Sequence, residues 1–279
     1  MSFGLVATND VANDYIVAEP FAAPEEKLGI IRIPLPGRMY DGRDVSIDIA
    51  TSYEHRQMAC DLINRRYSWR GYGDDHQLIN RPSHTTFTVS TGSDVIGTVT
   101  LAADSDRGLS ADTLFRPEID EYRNGPDACV CELTKLAFDT NAESKHLLGA
   151  LFHVVFIYGI WKHKGTDLFI EVNPRHRRFY EAMLGFSRIG ELRMNESVSA
   201  PSQLMWLRVA DIRQKIDAYA GMGDAAGCRS LYPFFLTSLE EATACIQLGA
   251  ATLEAATRSA SFPLRSQGDA IRPRAEQRG

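Results

Sequence analysis

The sequence predicts a mixed α/β fold, and three observations support that prediction. Residues 84–105 read as two strands around a Thr-Gly-Ser-Asp turn, which is typical of a β-hairpin. Strand patterns at 129–139 and 166–172 are separated by a long apolar helix pattern, as expected for a helix crossover packed on a sheet. Two more strand patterns, at 187–196 and 202–209, follow a short helix. The predicted sheet therefore has its hairpin early and its helix crossovers late.

The elements before the hairpin are less regular. Residues 1–44 have little periodicity and several Pro and Gly turn signals, so they are interpreted as an extended, partly disordered arm. Residues 45–50 alternate like a strand. Ser52 is a suitable N-cap for a helix that continues to about Tyr67.

Two later helices have recognisable start signals. Thr140 and Glu143 have the spacing of a capping box, which predicts that a helix begins near 141 and continues to Trp161. Asn173 followed by Pro174 predicts a second start, with Asn as the N-cap and Pro in the first helical position.

The C-terminal part is predicted to be helical. Gly185 can end the helix that begins after Asn173 in a left-handed turn. Helices are predicted near 211–220 and 238–257, and the last twenty or so residues are predicted to be disordered.

The bulk properties exclude several classes of protein. A formal charge of -6 argues against broad binding of nucleic acid or membranes. The longest apolar run, 147–161, is too short to span a bilayer, and no basic region followed by an apolar stretch opens the chain. Five cysteines without regular spacing fit a reduced compartment, so a cytoplasmic location is expected.

Three segments resemble a known family. CELTKLAFD (131–139) followed by a helix, and then LFIEVNPRHRRFYEAMLGF (168–186), resemble the central part of the GNAT acyltransferase superfamily. The resemblance is closest to the bacterial long-chain N-acyl amino acid synthases, relatives of the acyl-homoserine-lactone synthases, and RRYSWRGYG (65–73) resembles the same group. The match covers about 45–210.

The resemblance implies a fold and an activity. The fold would be α/β, with a GNAT-like mixed, mostly antiparallel central sheet flanked by helices and a C-terminal helical extension. The chain would divide into an N-terminal arm (1–44), an acyltransferase domain (45–210) and a helical extension with a disordered tail (211–279). The activity would be transfer of a long-chain fatty acyl group from an acyl-carrier-protein thioester to the α-amine of an amino acid.

Three alternatives stay open. The first is a coenzyme A-dependent N-acetyltransferase, and the second is a non-catalytic module that binds an acyl chain or a carrier protein. The third is a lactone synthase, which supplying S-adenosylmethionine would distinguish. None of these functions requires a metal.

Glu132 is the candidate general base. A glutamate inside a strand of Val, Cys and Leu needs a partner or a wet cavity. It could take the proton of an attacking amine, or form a structural ion pair with Lys135 or another cation. In the lactone synthases the corresponding segment is Glu-x-Thr-Arg, and Lys135 replaces that arginine here. The backbone N–H groups of 129–139 are the candidate oxyanion donors.

The candidate donor site lies at the start of the following helix. Most superfamily members bind the pyrophosphate of coenzyme A on a glycine-containing turn there, but Leu148 occupies the position of the first glycine. Glu143 would also repel a pyrophosphate, so a carrier-protein phosphopantetheine is the predicted donor group; alternatively, Lys145 and His146 suffice for coenzyme A. The residues assigned to the donor are Lys135, Leu136, Lys145, His146 and Asn173.

The last candidates lie in the segment from Asn173 to Tyr180. By the resemblance, Tyr180 would protonate the departing thiolate and Asn173 would bond to the pantetheine. Alternatively, Tyr180 is a core residue and Asn173 only an N-cap. The basic run Arg175–Arg178 is either a solvated helix face or a docking patch for an acidic carrier protein.

Overall fold

The computed structural model describes residues 31–139 and 144–249. Within these residues the strands form one eight-stranded sheet in the order β1-β2-β3-β4-β5-β6-β8-β7. Only the central β5–β6 pair is parallel, and the other pairs are antiparallel. The strands are β1 (Arg32–Tyr40), β2 (Arg43–Ile49), β3 (His84–Thr91), β4 (Asp94–Ala103), β5 (Val130–Phe138), β6 (Asp167–Val172), β7 (Ser187–Asn195) and β8 (Ala200–Arg208).

Helices cover both faces of the sheet. Two helices lie on one face, and buried side chains of the other four belong to the main core on the opposite face. The first two are α1 (Tyr53–Ser68) and α2 (Asp112–Arg123), and the other four are α3 (Lys145–His163), α4 (Arg177–Leu184), α5 (Val209–Tyr219) and α6 (Ser238–Gln247). The mixed, mostly antiparallel α/β sheet predicted from the sequence is confirmed.

Several local predictions are confirmed by the backbone. The Ser52 hydroxyl accepts a hydrogen bond from the His55 amide at 3.1 Å and caps α1. The predicted hairpin is β3–β4, paired from His84–Ala102 to its turn. Gly185 ends α4 with φ +85°, a left-handed conformation that glycine adopts without a Cβ penalty.

The first strand, β1, was not predicted. It lies at the edge of the sheet and pairs only with β2, so its prolines interrupt no second ladder. Ile33 and Leu35 alternate into the core, where both are almost fully buried. The sheet therefore begins inside the segment interpreted as an arm. The division into 1–44, 45–210 and 211–279 stays a prediction.

The predicted start of α3 was wrong. The helix begins at Lys145 rather than near 141, and the hydroxyl of Ser144 caps it by accepting the amide of Leu147 at 3.1 Å. Serine is a strong N-cap, so the helix starts at the nearest suitable residue. The proposed capping box of Thr140 and Glu143 lies outside the described residues.

The segment after β8 packs against the domain. The 3₁₀ turn Tyr232–Phe234 contacts α3 and α5, and α6 contacts β1 and α3. Thr237 and Glu240 form the capping box of α6, which ends at Gln247. Residues after 249, including the predicted disordered tail, lie outside the described residues.

Candidate active site

The site is built around a gap between β5 and β6. The two strands pair at only three positions, from Val130–Asp167 to Glu132–Phe169, although both continue beyond this point. Past Glu132, the β6-facing backbone edge of β5 is free of the strand ladder. A free edge offers N–H and C=O groups to an extended ligand.

A β-bulge at Lys135 reshapes β5 within the gap. Lys135 has φ +55°, and the register with β4 shifts by one residue between Thr134 and Ala137. Before the bulge Leu133 faces α3, whereas after it Leu136 does so. The strict alternation expected for β5 therefore holds only as far as Thr134.

Glu132 lies at the point where the strands separate. Its side chain is 1% exposed and faces α2, and one carboxylate oxygen accepts the amide of Ala111 at 3.3 Å. Burial, followed by the charge of Glu171, raises the pKa of Glu132 to about 8. The role of Glu132 as a base stays a prediction, as does the alternative of an ion pair with Lys135.

Glu171 is a second buried carboxylate that the sequence analysis missed. It lies two residues after Phe169, the partner of Glu132, and is also 1% exposed. One oxygen accepts hydrogen bonds from Asn195 (2.7 Å) and Ser202 (2.5 Å), whereas the other is buried without a partner among the described residues. Burial raises the pKa of Glu171, although the hydrogen bonds from Ser202 and Asn195 act to lower it. A glutamate inside the apolar strand pattern of 166–172 was the available signal.

The loop over Glu132 is held by an ion-pair network. The guanidinium of Arg123 contacts Asp104 at 2.6 Å and Asp112 at 2.7 Å, and Asp112 also accepts the amide of Leu109. This network ties α2 to the end of β4 and fixes the position of Ala111. The backbone donor to Glu132 is therefore presented by a rigid segment.

Tyr180 lies on α4 with its ring in the core. The side chain is 1% exposed, and its hydroxyl has no hydrogen-bond partner among the described residues. Burial, with a contribution from Tyr67, raises the pKa of Tyr180 well above its ordinary value. The hydroxyl therefore keeps its proton at neutral pH.

Tyr67 and Lys135 border the gap between β5 and β6. The hydroxyl of Tyr67 donates to the carbonyl of Leu136 at 3.4 Å, on the part of β5 beyond its pairing with β6. Lys135 is 8% exposed. Burial lowers the pKa of His76 most, and the positive charge of Lys135 lowers it further. Leu136 itself is a core side chain, and its role toward the donor stays a prediction.

Lys145 and His146 lie exposed in the first turn of α3. The ring of Phe234, from the C-terminal segment, lies 4.8 Å from the His146 ring and 5.2 Å from the Lys145 ammonium. Gly149 approaches Phe234 closely, and a Cβ there would lie 2.7 Å from the Phe234 carbonyl oxygen. Packing therefore explains this glycine. Leu148 is a buried core residue.

Asn173 and the basic run lie between β6 and α4. The Asn173 side chain accepts the amide of Arg175 at 3.2 Å and caps a 3₁₀ turn, Pro174–His176, that precedes α4. The guanidinium of Arg175 donates to the Tyr72 hydroxyl at 2.6 Å, whereas Arg178 is exposed. A role for Asn173 toward the donor stays a prediction.

An apolar cavity lies under α3 on the opposite side of the sheet from Glu132. Its empty volume is about 530 Å³, which includes space open to solvent. Cys131 and Leu133, the neighbours of Glu132 on β5, line it. The cavity therefore reaches the point where β5 and β6 separate.

The described residues contain no group of His, Cys, Asp or Glu side chains suited to holding a metal. Cys129 and Cys131 lie on β5 or just before it as free thiols. Within the same residues, no helix has the length and apolar character needed to cross a membrane.

Comparison with known proteins identifies one family. Residues 58–208, more than half of the 279, match a family model described as N-acyl amino acid synthase FeeM. The chain is 27% identical to FeeM, an N-acyl amino acid synthase from uncultured soil microbes whose structure is solved. The superposition has a TM-score of 0.56 and covers 61% of this chain and 93% of FeeM.

Other solved structures resemble the chain more distantly. A GCN5-related N-acetyltransferase from Brucella melitensis is 14% identical, with 75% of this chain and 98% of that chain covered and a TM-score of 0.46. The coenzyme A-dependent acyl-homoserine lactone synthase BjaI is 15% identical, with 64% and 82% covered and a TM-score of 0.44. No curated protein sequence matches the chain. The superposition on FeeM confirms the fold class predicted from the sequence.

Proposed function

The chain belongs to the N-acyl amino acid synthase FeeM family of acyltransferases, and from that premise we propose that it moves a long-chain fatty acyl group from an acyl-carrier-protein thioester to the α-amine of an amino acid. One observation carries the proposal. The gap at which β5 and β6 separate lies beside a buried carboxylate, Glu132, whose neighbours Cys131 and Leu133 line an apolar cavity on the opposite face of the sheet. This arrangement suits a thioester carbonyl with the attacking amine on one side and the acyl chain on the other.

Glu132 takes the proton from the attacking amine. An amine is nucleophilic only when neutral, and a general base works best with a pKa near the working pH. The pKa of Glu132, about 8, meets that condition, whereas an ordinary glutamate would be too weak a base. Glu171 supports this role because its negative charge favours uptake of the proton by Glu132.

The other groups act on the thioester. Attack forms the new C–N bond and places a negative charge on the carbonyl oxygen. The backbone N–H groups of β5 beyond its pairing with β6 are the proposed donors for that charge. Collapse of the intermediate breaks the C–S bond and releases the thiolate. Tyr180, whose hydroxyl stays protonated, supplies a proton to the departing sulfur.

The carrier-protein donor is supported by the first turn of α3. The amides of Leu147 and Leu148 already bond to Ser144, and Phe234 packs against Gly149. These groups are therefore poorly placed to hold a pyrophosphate. The first turn has no acidic residue, so the proposal does not depend on repulsion by Glu143.

A docking prediction follows from the exposed Arg178. Carrier proteins are acidic, and exposed charges at the rim of an interface act mainly on the association rate. We expect Arg178→Glu to raise KM for an acyl-carrier-protein donor by about tenfold at low salt, with a much smaller change in kcat. Arg175 is unsuitable for this test because its reversal would also break the contact with Tyr72.

The controls for docking separate charge from folding. The same variant should use a short pantetheine thioester as efficiently as wild type does. Its increase in KM for the carrier-protein donor should become smaller as salt rises. Arg81→Glu, a reversal of another exposed arginine that lies just before β3, should leave KM unchanged. An equal loss with the short thioester would show that Arg178 does not dock the carrier.

A pH prediction follows from the two carboxylates. The base must be ionised, so kcat/KM calculated for the neutral form of the amine should rise with pH to a plateau, with a midpoint near the pKa of Glu132, about 8. Glu171→Gln removes a neighbouring negative charge and should move this midpoint to lower pH. The exposed Glu191→Gln is the matched control. A midpoint that is unchanged in Glu171→Gln would remove Glu171 from the electrostatics of the base.

The proposed function is tested by the lipids that cells accumulate. Mass spectrometry of lipid extracts should detect N-acyl amino acids in cells that overexpress the wild-type chain and not in cells that overexpress Glu132→Gln at equal levels. Equal amounts of such lipids in both would contradict the proposal.

A further inference from the structure

We propose that the segment Leu231–Leu236, which follows the residues matched by the family model, forms one wall of the apolar cavity and limits the length of the acyl chain transferred. This inference rests on the proposed function, because it assigns the cavity to the acyl group. The family match ends at residue 208, so this segment lies outside the matched residues.

The cavity has two kinds of wall. One comes from the sheet and α3, including Cys131, Leu133 and Gly159. The other comes from the C-terminal segment, which contributes Tyr232 and Phe235. An acyl chain lying in this cavity would contact both the sheet side and the two aromatic rings. Those rings are 1% and 2% exposed, respectively, so they do not open to solvent.

Hydrogen bonds hold the segment at both ends. The amide of Leu231 donates to the carbonyl of Met183, and the hydroxyl of Tyr232 donates to the carbonyl of Leu184, both at 2.8 Å. At the other end the amide of Leu236 donates to Nδ1 of His153 at 3.0 Å. A wall fixed to both α4 and α3 can exclude a chain that is too long.

Contacts along the segment also restrict its movement. The ring of Phe235 stacks on the His153 ring with centroids 5.1 Å apart. One residue earlier, the backbone of Phe234 lies so close to Gly149 that a Cβ there would lie 2.7 Å from the Phe234 carbonyl oxygen. Lateral movement of the wall toward α3 is therefore blocked.

The inference predicts opposite effects for two substitutions. Phe235→Leu removes part of the wall and should favour longer chains. Gly159→Ala adds a methyl group to the cavity and should favour shorter ones, and its Cβ would meet Leu101 at an ordinary contact distance of 3.5 Å. Each additional methylene group that becomes buried should raise kcat/KM for that chain by about fourfold.

Phe234→Leu is the matched control. It makes the same chemical change one residue away, in a ring that is equally buried but packs on the α3 start instead of lining the cavity. Loosening of the segment would occur in both variants, whereas only Phe235→Leu would change the wall of the cavity. Leucine keeps much of the packing volume, so both variants should fold, which thermal unfolding can check.

The experiment offers the purified variants a mixture of saturated acyl-carrier-protein thioesters of increasing length, and mass spectrometry measures the N-acyl products. We expect the products of Phe235→Leu to shift to longer chains, those of Gly159→Ala to shorter chains, and those of Phe234→Leu to match wild type. A shift in Gly159→Ala alone, or equal shifts in Phe234→Leu and Phe235→Leu, would overturn the role of the wall and leave the acyl cavity standing. No shift in any variant would overturn both, and the absence of N-acyl products from wild type would overturn the proposed function itself.

Discussion

Replacing Glu132 by Gln should lower kcat/KM by roughly 10²–10⁴ near neutral pH, the range expected when a general base is removed. Glutamine keeps the size of the side chain and can still accept the amide of Ala111, so the local packing should persist. The measurement is the rate of N-acylation by the purified variant at saturating acceptor. The exposed Glu121→Gln, on α2, is the matched control and should behave as wild type.

Protein stability separates loss of the base from loss of the fold. The pKa of Glu132 rises from 4.5 in the unfolded chain to about 8 in the folded one, so wild type loses stability as pH rises through that interval. Glutamine does not titrate. The variant should therefore unfold at an equal or higher temperature than wild type at pH 8. Activity of Glu132→Gln within a few-fold of wild type would remove Glu132 from the mechanism.

Tyr180→Phe should lower kcat by about 10²-fold, at the lower end of general acid catalysis, because a thiolate is already a good leaving group. The hydroxyl has no hydrogen-bond partner among the described residues, so its removal should leave the fold intact. The exposed Tyr219→Phe is the control and should keep wild-type activity.

The leaving group distinguishes an acid from a packing residue. An activated aryl thioester releases a thiolate that needs no proton, so the defect of Tyr180→Phe should become small with that donor. A defect of the same size with alkyl and aryl thioesters would show that Tyr180 acts through packing. Comparison of kcat for the two donors measures this directly.

The main elements of the fold were predictable because their signals are local. The alternation of the hairpin, the Ser52 cap and the glycine that ends α4 each specify the backbone within a few residues. The strand β1 was missed because Pro34 and Pro36 suggest a loop. Those prolines are tolerated because of the position of β1 at the sheet edge, and that position is a property of the assembled sheet.

The candidate site was predictable only in part. Glu132 was singled out because a buried carboxylate is costly wherever the strand is placed, and the family resemblance then favoured its role as a base. Its partnership with Glu171 depends on the parallel pairing of β5 with β6, two strands that are distant in sequence. The bulge at Lys135 also arises from pairing, since the register with β4 creates it. Neither feature has a signal that could be read from one segment alone.

The donor site illustrates a different limit. The comparison of Leu148 with a phosphate-binding glycine treated the helix start as isolated. The structure adds a segment from more than 80 residues later along the chain, with Leu236 bonded to His153 and Phe234 packed on Gly149. Such a long-range contact changes what a helix start can bind without leaving a trace in the local sequence.

The central claim is that a thioester is consumed by attack of an amino acid amine at Glu132. The most direct measurement follows thiol release from an acyl-carrier-protein thioester by the purified chain, with and without a mixture of amino acids, while mass spectrometry counts the N-acyl products. The account predicts thiol release that requires the amino acids, with one N-acyl amino acid formed for each thiol and almost none of either in Glu132→Gln. Thiol release at the same rate without amino acids, with free fatty acid as the product, would contradict it.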